Sequence, residues 1–260
     1  MELNFYILII SFFCIALVYA SVGFGGGSSY LALMAQPFFA LLPEVIRPTA
    51  LLCNIVVVTG GAIIFYKQHK LSFKEIWPFL VASVPLAFLG GLWKLKDSTF
   101  FILLGITLLI ASIFLWIQRD GKSIFPSWKI ESDLSKTVLG GIIGFLSGLV
   151  SIGGGIFLSP ILHFMNWAEA KKISALASVF ILVNSVSGLV GQFSRGVPDI
   201  DFQLMLALLV AVFVGGQIGS RLGAKKFKPM YVRRITAVLI LVASLNILKD
   251  HLLKLCYPYF

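Results

Sequence analysis

Long apolar runs separated by short polar interruptions set the pattern of this chain. Cut at charges and turn residues, it gives apolar segments near 5–22, 28–42, 48–66, 76–93 and 99–118. A polar stretch follows at 119–136 (RDGKSIFPSWKIESDLSK), and then five more segments near 137–152, 156–167, 173–194, 202–222 and 231–248. Most of these runs read as membrane helices. Two are too short to cross alone: at a rise of about 1.5 Å per residue, 28–42 and 156–167 span ~23 and ~18 Å against ~30 Å of hydrocarbon. Each begins just after or within a glycine-rich stretch, VGFGGGSSY at 22–30 and VSIGGGIFLSP at 150–160. They read as return arms of hairpins that dip in from opposite faces, with the glycine turns meeting at the membrane midplane.

The two halves share this layout. Gly25-Gly26-Gly27 corresponds to Gly153-Gly154-Gly155, Thr49-Ala50-Leu51 to Ser174-Ala175-Leu176, and Ala111-Ser112 to Ala243-Ser244. The offset drifts by a few residues, as loop insertions in an old duplication would produce. The expected organisation is a first repeat over 1–118, a cytoplasmic linker over 119–136 and a second repeat over 137–260. Loop charge decides how the repeats are related. If each glycine-broken pair were one crossing, Lys and Arg would divide almost evenly between the two faces. If each pair goes in and comes back, the loops 67–74, 119–136, 171–172 and 221–234 fall on one face and hold 15 of the 21 basic residues. That bias is the positive-inside pattern. The expected fold is therefore an all-α integral membrane protein of two inverted repeats, five segments each, with both termini on the non-cytoplasmic side.

Composition agrees with a membrane protein and removes other classes. Hydrophobic residues make up 58% of the 260 residues and charged ones 12%, with a mean hydropathy of +0.97. A soluble domain carries roughly a quarter charged residues. The net charge of +10 sits in loops between apolar runs, so it reads as membrane orientation and not as a nucleic-acid surface. Cys14, Cys53 and Cys256 form no metal or disulfide pattern and read as small hydrophobes. Val18-Tyr19-Ala20 resembles a signal cleavage site, but no Lys or Arg precedes it, and the segment is expected to stay in the mature chain.

Candidate chemistry gathers at the glycine turns. Glycine permits unusual backbone dihedrals and lets a ligand approach the main chain. A helix start after each turn presents free N–H groups and a positive dipole end, which suits an anion. The expected binding set is Gly25, Gly26, Gly27, Ser28 and Ser29 at the first turn, with Ser151, Gly153, Gly154 and Gly155 at the second. Thr49, Asn54, Ser174 and Asn184 join it as the polar residues of the neighbouring segments. Gly140, Gly144 and Gly148, and Gly215, Gly219 and Gly223, follow GxxxGxxxG spacing and read as packing glycines. His163 reads as a hydrogen-bonded core residue. No Asp, Glu, Lys or Arg is expected deep inside a segment, so the site is expected to work through N–H and hydroxyl dipoles. GxSxG and HExxH are absent, and VGFGGGS lacks both the third glycine of GxGxxG and the Lys-Ser/Thr of a P-loop. The chain is read as no enzyme, with no cofactor and no metal.

VSIGGGIFLSP resembles the GxGGGxxxxP signature of the TauE/SafE sulfite-exporter family, and VGFGGGSSYLA resembles its first-half copy. The similarity runs over roughly 5–250. Two positions depart from it: Ala32 stands where the signature has proline, and Ser151 replaces the glycine two before the second triplet. The resemblance implies a membrane permease for sulfite, sulfonates such as sulfoacetate, or related organic acids, with both triplets lining the path. The reading is a secondary transporter of the cell inner membrane, exporting such an anion by alternating access. Its partners are the anion and the lipid bilayer, with a second copy of the chain left open and nucleic acid excluded. A passive anion channel, or a membrane anchor or assembly subunit without transport, are the alternatives.

Overall fold

A computed structural model describes residues 2–21, 23–36, 38–39, 41–68, 72–118, 132–198, 200–223 and 229–256. Among them there is no strand. The helices are α1 (Glu2–Ala20), α2 (Gly27–Met34), α3 (Pro43–Gln68), α4 (Phe73–Leu92), α5 (Asp97–Ile117), α6 (Asp133–Val150), α7 (Gly155–Phe164), α8 (Ala170–Phe193), α9 (Phe202–Gly223) and α10 (Pro229–Cys256). Hydrocarbon dictates this outcome, because each N–H and C=O must find its partner within its own segment. The stretches 73–92, 97–117, 133–150, 170–193 and 202–222 are long and apolar enough to cross a membrane.

Local chemistry places the helix ends. The Ser72 N–H donates to the Glu75 carboxylate at 3.1 Å, and the Ser135 N–H donates to Ser132 Oγ at 3.2 Å. Each bond satisfies a backbone donor at a helix start. α3 opens on Pro43, whose missing N–H costs nothing at a first helical position. It therefore starts before the apolar run at 48 and takes Arg47, expected in a loop, into the packed interior. The return arm read at 28–42 is helical only to Met34, with turns at Ala35 and at Phe38–Phe39. Pro37 lies outside the described residues. Pro160 lies inside α7. The end of the stretch read as a linker is already helical from Asp133, and 119–131 lie outside the described residues.

Small residues set how the helices pack. Side-chain positions on Gly140, Gly144 and Gly148 would fall on the backbone of Phe79, Ser83 and Ala87, so α6 lies against α4 and runs parallel to it. Gly215 and Gly219 meet Phe13 and Leu17 in the same way, so α9 runs parallel to α1. These are the close approaches expected of the GxxxG spacing. α8 runs parallel to α4: Lys172 meets Glu75, Ser187 Oγ donates to the Val84 carbonyl at 2.6 Å, and Gly191 abuts Phe88. α9 follows α3 through Val57–Gly216 and Gly60–Gln217. α3 and α8 are antiparallel, Asn54 lying beside Ser185 while Arg47 and Gln192 share Ser151. α5 and α10 are also antiparallel, with Phe101 on His251 and Arg234 over Trp116. Thus α1, α3 and α9 point one way and α4, α6 and α8 the other.

The outward faces of α5, α9 and α10 are apolar, with Ile106, Ile110, Val210, Phe213 and Leu239 exposed. In a membrane protein this band is the lipid-facing surface. Trp77 and Trp93, both exposed, lie near the two ends of α4 and are ~24 Å apart by helical rise. That suits interfacial anchors at the two edges of the hydrocarbon.

Replacing Gly148 or Gly219 by Leu is expected to cost about 1–3 kcal/mol by forcing helix backbones apart. The readout is a lower thermal unfolding midpoint in detergent. Gly216→Ala is the control, since its added carbon would lie 3.4 Å or more from Val57, and it should leave the midpoint unchanged.

Candidate functional site

Two glycine turns face each other. In the first, Gly23 and Gly26 have φ of 82° and 85°, and Gly26 is the N-cap of α2. In the second, Gly153 and Gly154 have φ of 85° and 81°, and Gly154 is the N-cap of α7. This left-handed backbone favours glycine, which is the physical reason for glycine at both helix starts. Neither N-cap supplies a side-chain bond to its helix. The N-terminal dipoles of α2 and α7 therefore face the space between the turns without a built-in acceptor from their own caps.

Asn54 of α3 bridges the turns. Its Oδ1 accepts the Gly27 N–H at 3.2 Å, and its Nδ2 donates to the Ile152 carbonyl at 3.2 Å and to Ser185 Oγ at 3.1 Å. The residue is 1% exposed, so these bonds form away from water. A side chain on Gly27 would lie 2.9 Å from the Ile152 carbonyl oxygen, so the approach of the two turns depends on a bare α-carbon. The other half reciprocates: Ser178 Oγ of α8 donates to the Gly23 carbonyl at 2.7 Å. Each long central helix thus grips the glycine turn of the opposite half.

Gly25, Gly26, Gly27, Ser28 and Asn54 line a small cavity here, together with Tyr19, Ile152 and Ile181. Its volume is about 10 Å³, room for roughly one water. Gly153 lies against Asn54 and Ser185, Gly154 against Phe180 and Ser147, and Gly155 against Ile181. Ser29 is turned toward α1, its Oγ 2.5 Å from Tyr19 Oη. Three residues of the expected set lie apart. Thr49 donates to the Val45 carbonyl of its own helix, and Asn184 donates to that of Phe180, while the neighbouring Ser185 reaches Asn54. Ser174 lies on the first turns of α8, ~16 Å along the helix from Ser185. His163 Nδ1 lies 2.8 Å from the Ser159 carbonyl, within its own helix.

Two hydroxyls at the turns escaped the sequence reading. Among the described residues, Tyr30 Oη and Ser147 Oγ are buried without a hydrogen-bond partner, and they lie beside Gly26 and Gly154 respectively. Unbonded buried hydroxyls are costly, so two beside facing helix starts are candidate ligand groups. Tyr30 is the polar aromatic ending VGFGGGSSY, and Ser147 stands one helical turn before Ser151; both were visible in the sequence.

Arg47 is the larger omission. It is 5% exposed and stands in the first turns of α3, where a loop residue was expected. Its Nε donates to Ser151 Oγ at 3.2 Å and its Nη2 to the Gly148 carbonyl at 3.4 Å, with the guanidinium over the Phe100 ring. Gln192 Nε2 also donates to Ser151 Oγ, at 2.8 Å. Ser151 itself has φ 65°, which explains why glycine suits this position in the signature. Here the hydroxyl gains two donors in place of glycine's conformational freedom.

The helices, with broken segments meeting in the interior of an apolar bundle, define a multi-pass membrane transporter. The chain belongs to the sulfite exporter TauE/SafE family, whose model matches residues 8–247. It is 34% identical over 245 residues to probable membrane transporter protein y4hK of Sinorhizobium fredii, covering 93% of this chain and 97% of the relative. It is 24% identical over 264 residues to probable membrane transporter protein YunE of Bacillus subtilis, covering 92% and 96%. No solved structure matches the chain.

Asn54→Ala is expected to leave the Gly27 N–H unbonded and to cost about 1–3 kcal/mol. Thermal unfolding in detergent checks this; Ser178→Ala, which removes the donor to the opposite turn, should move the midpoint the same way by a smaller amount.

Proposed function

We propose that the protein is a secondary transporter of the inner membrane that exports a small sulfur-containing anion, sulfite or an organosulfonate such as sulfoacetate, by alternating access. The anion binds between the glycine turns. The observation that carries this reading is the join itself: two helix starts whose N-caps have no side chain meet across Asn54, with Tyr30 Oη beside one N-cap glycine and Ser147 Oγ beside the other. An anion oxygen would take the Gly27 N–H from Asn54 Oδ1, which holds that donor in the absence of substrate. Backbone N–H groups and hydroxyls are sufficient donors for a small oxyanion.

The opposed directions of α1 and α6, α3 and α8, and α4 and α9 support reading the halves as inverted repeats, the plan recurrent in secondary transporters. The loop charges support termini on the non-cytoplasmic side. Alternating access is favoured over a passive channel because the space at the join is about 10 Å³. A substrate enters only if the turns part, and parting first toward one face and then the other is carriage. The reciprocal grips of Asn54 and Ser178 are the bonds that such a motion exchanges.

Counterflow in proteoliposomes tests the reading: labelled sulfite uptake driven by internal unlabelled sulfite, repeated with a panel of sulfonates. Saturable counterflow with one of these anions is expected, and Gly26→Val or Gly154→Val should abolish it while the protein still folds and inserts. Non-saturating flux without counterflow would make the protein a channel, and normal transport by both valine variants would remove the glycine turns from the path.

A further inference from the structure

A second cavity, of about 280 Å³, lies between the start of α3, the α4–α5 turn and the end of α8. Its polar groups have a specific arrangement. Arg47 and Arg195 both line it, and among the described residues neither has a carboxylate within ion-pair distance. Lys94 lies 3.7 Å from Glu44, so that pair is internally compensated. Asp97 lies in the first turn of α5, where the helix dipole favours a negative charge. Arg47 uses Nε and Nη2 on Ser151 and Gly148, whereas Nη1 has no acceptor among the described residues and is not a fully buried unbonded atom. It is thus a mostly buried guanidinium with a free edge open to the cavity. Pro43, Pro48, Phe100 and Val197 supply apolar wall around it.

We propose that this cavity is a docking vestibule for a small organic anion. Arg47 and Arg195 hold an oxyanion head, sulfonate or carboxylate, and the prolines, Phe100 and Val197 cover a short apolar tail. Guanidinium presents paired N–H donors that fit two oxygens of one head group, which a chloride ion cannot match. The apolar wall makes an organic anion the better occupant than inorganic sulfite, whose entire surface is polar. The inference deepens the transport reading and rests on it for the onward path. Arg47 also holds Ser151 and Gly148, so an anion on its free edge touches the residue that fixes the second glycine turn. By the loop-charge orientation the vestibule opens on the non-cytoplasmic face.

Isothermal titration of the full protein in detergent tests docking without requiring transport. The probes are inorganic sulfite, methane-, ethane- and propanesulfonate, the matching carboxylates, and chloride. Affinity is expected to rise about two- to fourfold per added methylene, with chloride not competing, and the sulfonate and carboxylate series identify the preferred head. Arg195→Gln, at an exposed position where folding is not at risk, should weaken every oxyanion about three- to tenfold. Arg47→Lys keeps the charge but loses the fork, and should weaken them further. Gly154→Val should retain this binding while losing counterflow, which separates the vestibule from the central site. Binding that ignores chain length and is unchanged in Arg195→Gln would overturn the vestibule and leave the central site standing. Arginine-dependent binding by a protein that performs no counterflow would uphold the vestibule and sink the transport reading.

Discussion

The Asn54 carboxamide joins the two halves through the backbone of both turns. Its oxygen takes a donor from the first turn and its nitrogen gives one to a carbonyl of the second. Both turns are unwound backbone deep in an apolar bundle, and such backbone persists only where the protein itself satisfies it. The rest of the arrangement follows from that requirement. The helix starts must be glycine to hold left-handed dihedrals, Gly27 must be bare for the turns to touch, and α3 and α8 must cross close enough to reach over. Small residues elsewhere let the flanking helices approach, so that α4 lies against both α6 and α8.

A join held by side-chain bonds to unwound backbone suits a gate. Each bond across it is worth on the order of 1 kcal/mol net, and an anion can replace the Asn54 oxygen on the Gly27 N–H one for one. The structure is closed at this point and open at the Arg47 cavity, so a charged group lies between solvent and the second turn. Lys172, the sequence counterpart of Arg47, is differently placed: it is paired to Glu75 at a partly exposed edge. Under the proposed repeat, these equivalent positions differ in the partners of their charge.

Much of this was legible in the sequence, for identifiable reasons. Uninterrupted apolar runs mark helices, and a glycine triplet puts glycine on every face, which packing alone does not require. The repeat spacing found Ser112 and Ser244, whose hydroxyls donate to Leu109 and Leu241 in matching positions. Arg47 was hidden because a chain cut at its charges assigns every arginine to a loop. Its spacing of seven from Asn54 nevertheless puts both on one helix face, and a face-by-face reading would have linked them. Asn184 was named from the sequence and its neighbour Ser185 was not. Adjacent helix residues point about 100° apart, however, and the direction toward Asn54 belonged to the serine. Thr49 and Ser174 matched each other across the repeat, but matching says nothing about depth.

The central claim, that the substrate path runs through the join of the glycine turns, is tested most directly by solvent access to Ser28. It is 2% exposed and lines the central cavity. A Ser28→Cys variant, with Cys14, Cys53 and Cys256 replaced, would be treated with a membrane-impermeant thiol reagent from each face of sealed vesicles. The account predicts slow labelling from both faces, accelerated or blocked by a transported anion. A position that stays unlabelled from both faces while the same protein sustains anion counterflow would contradict it.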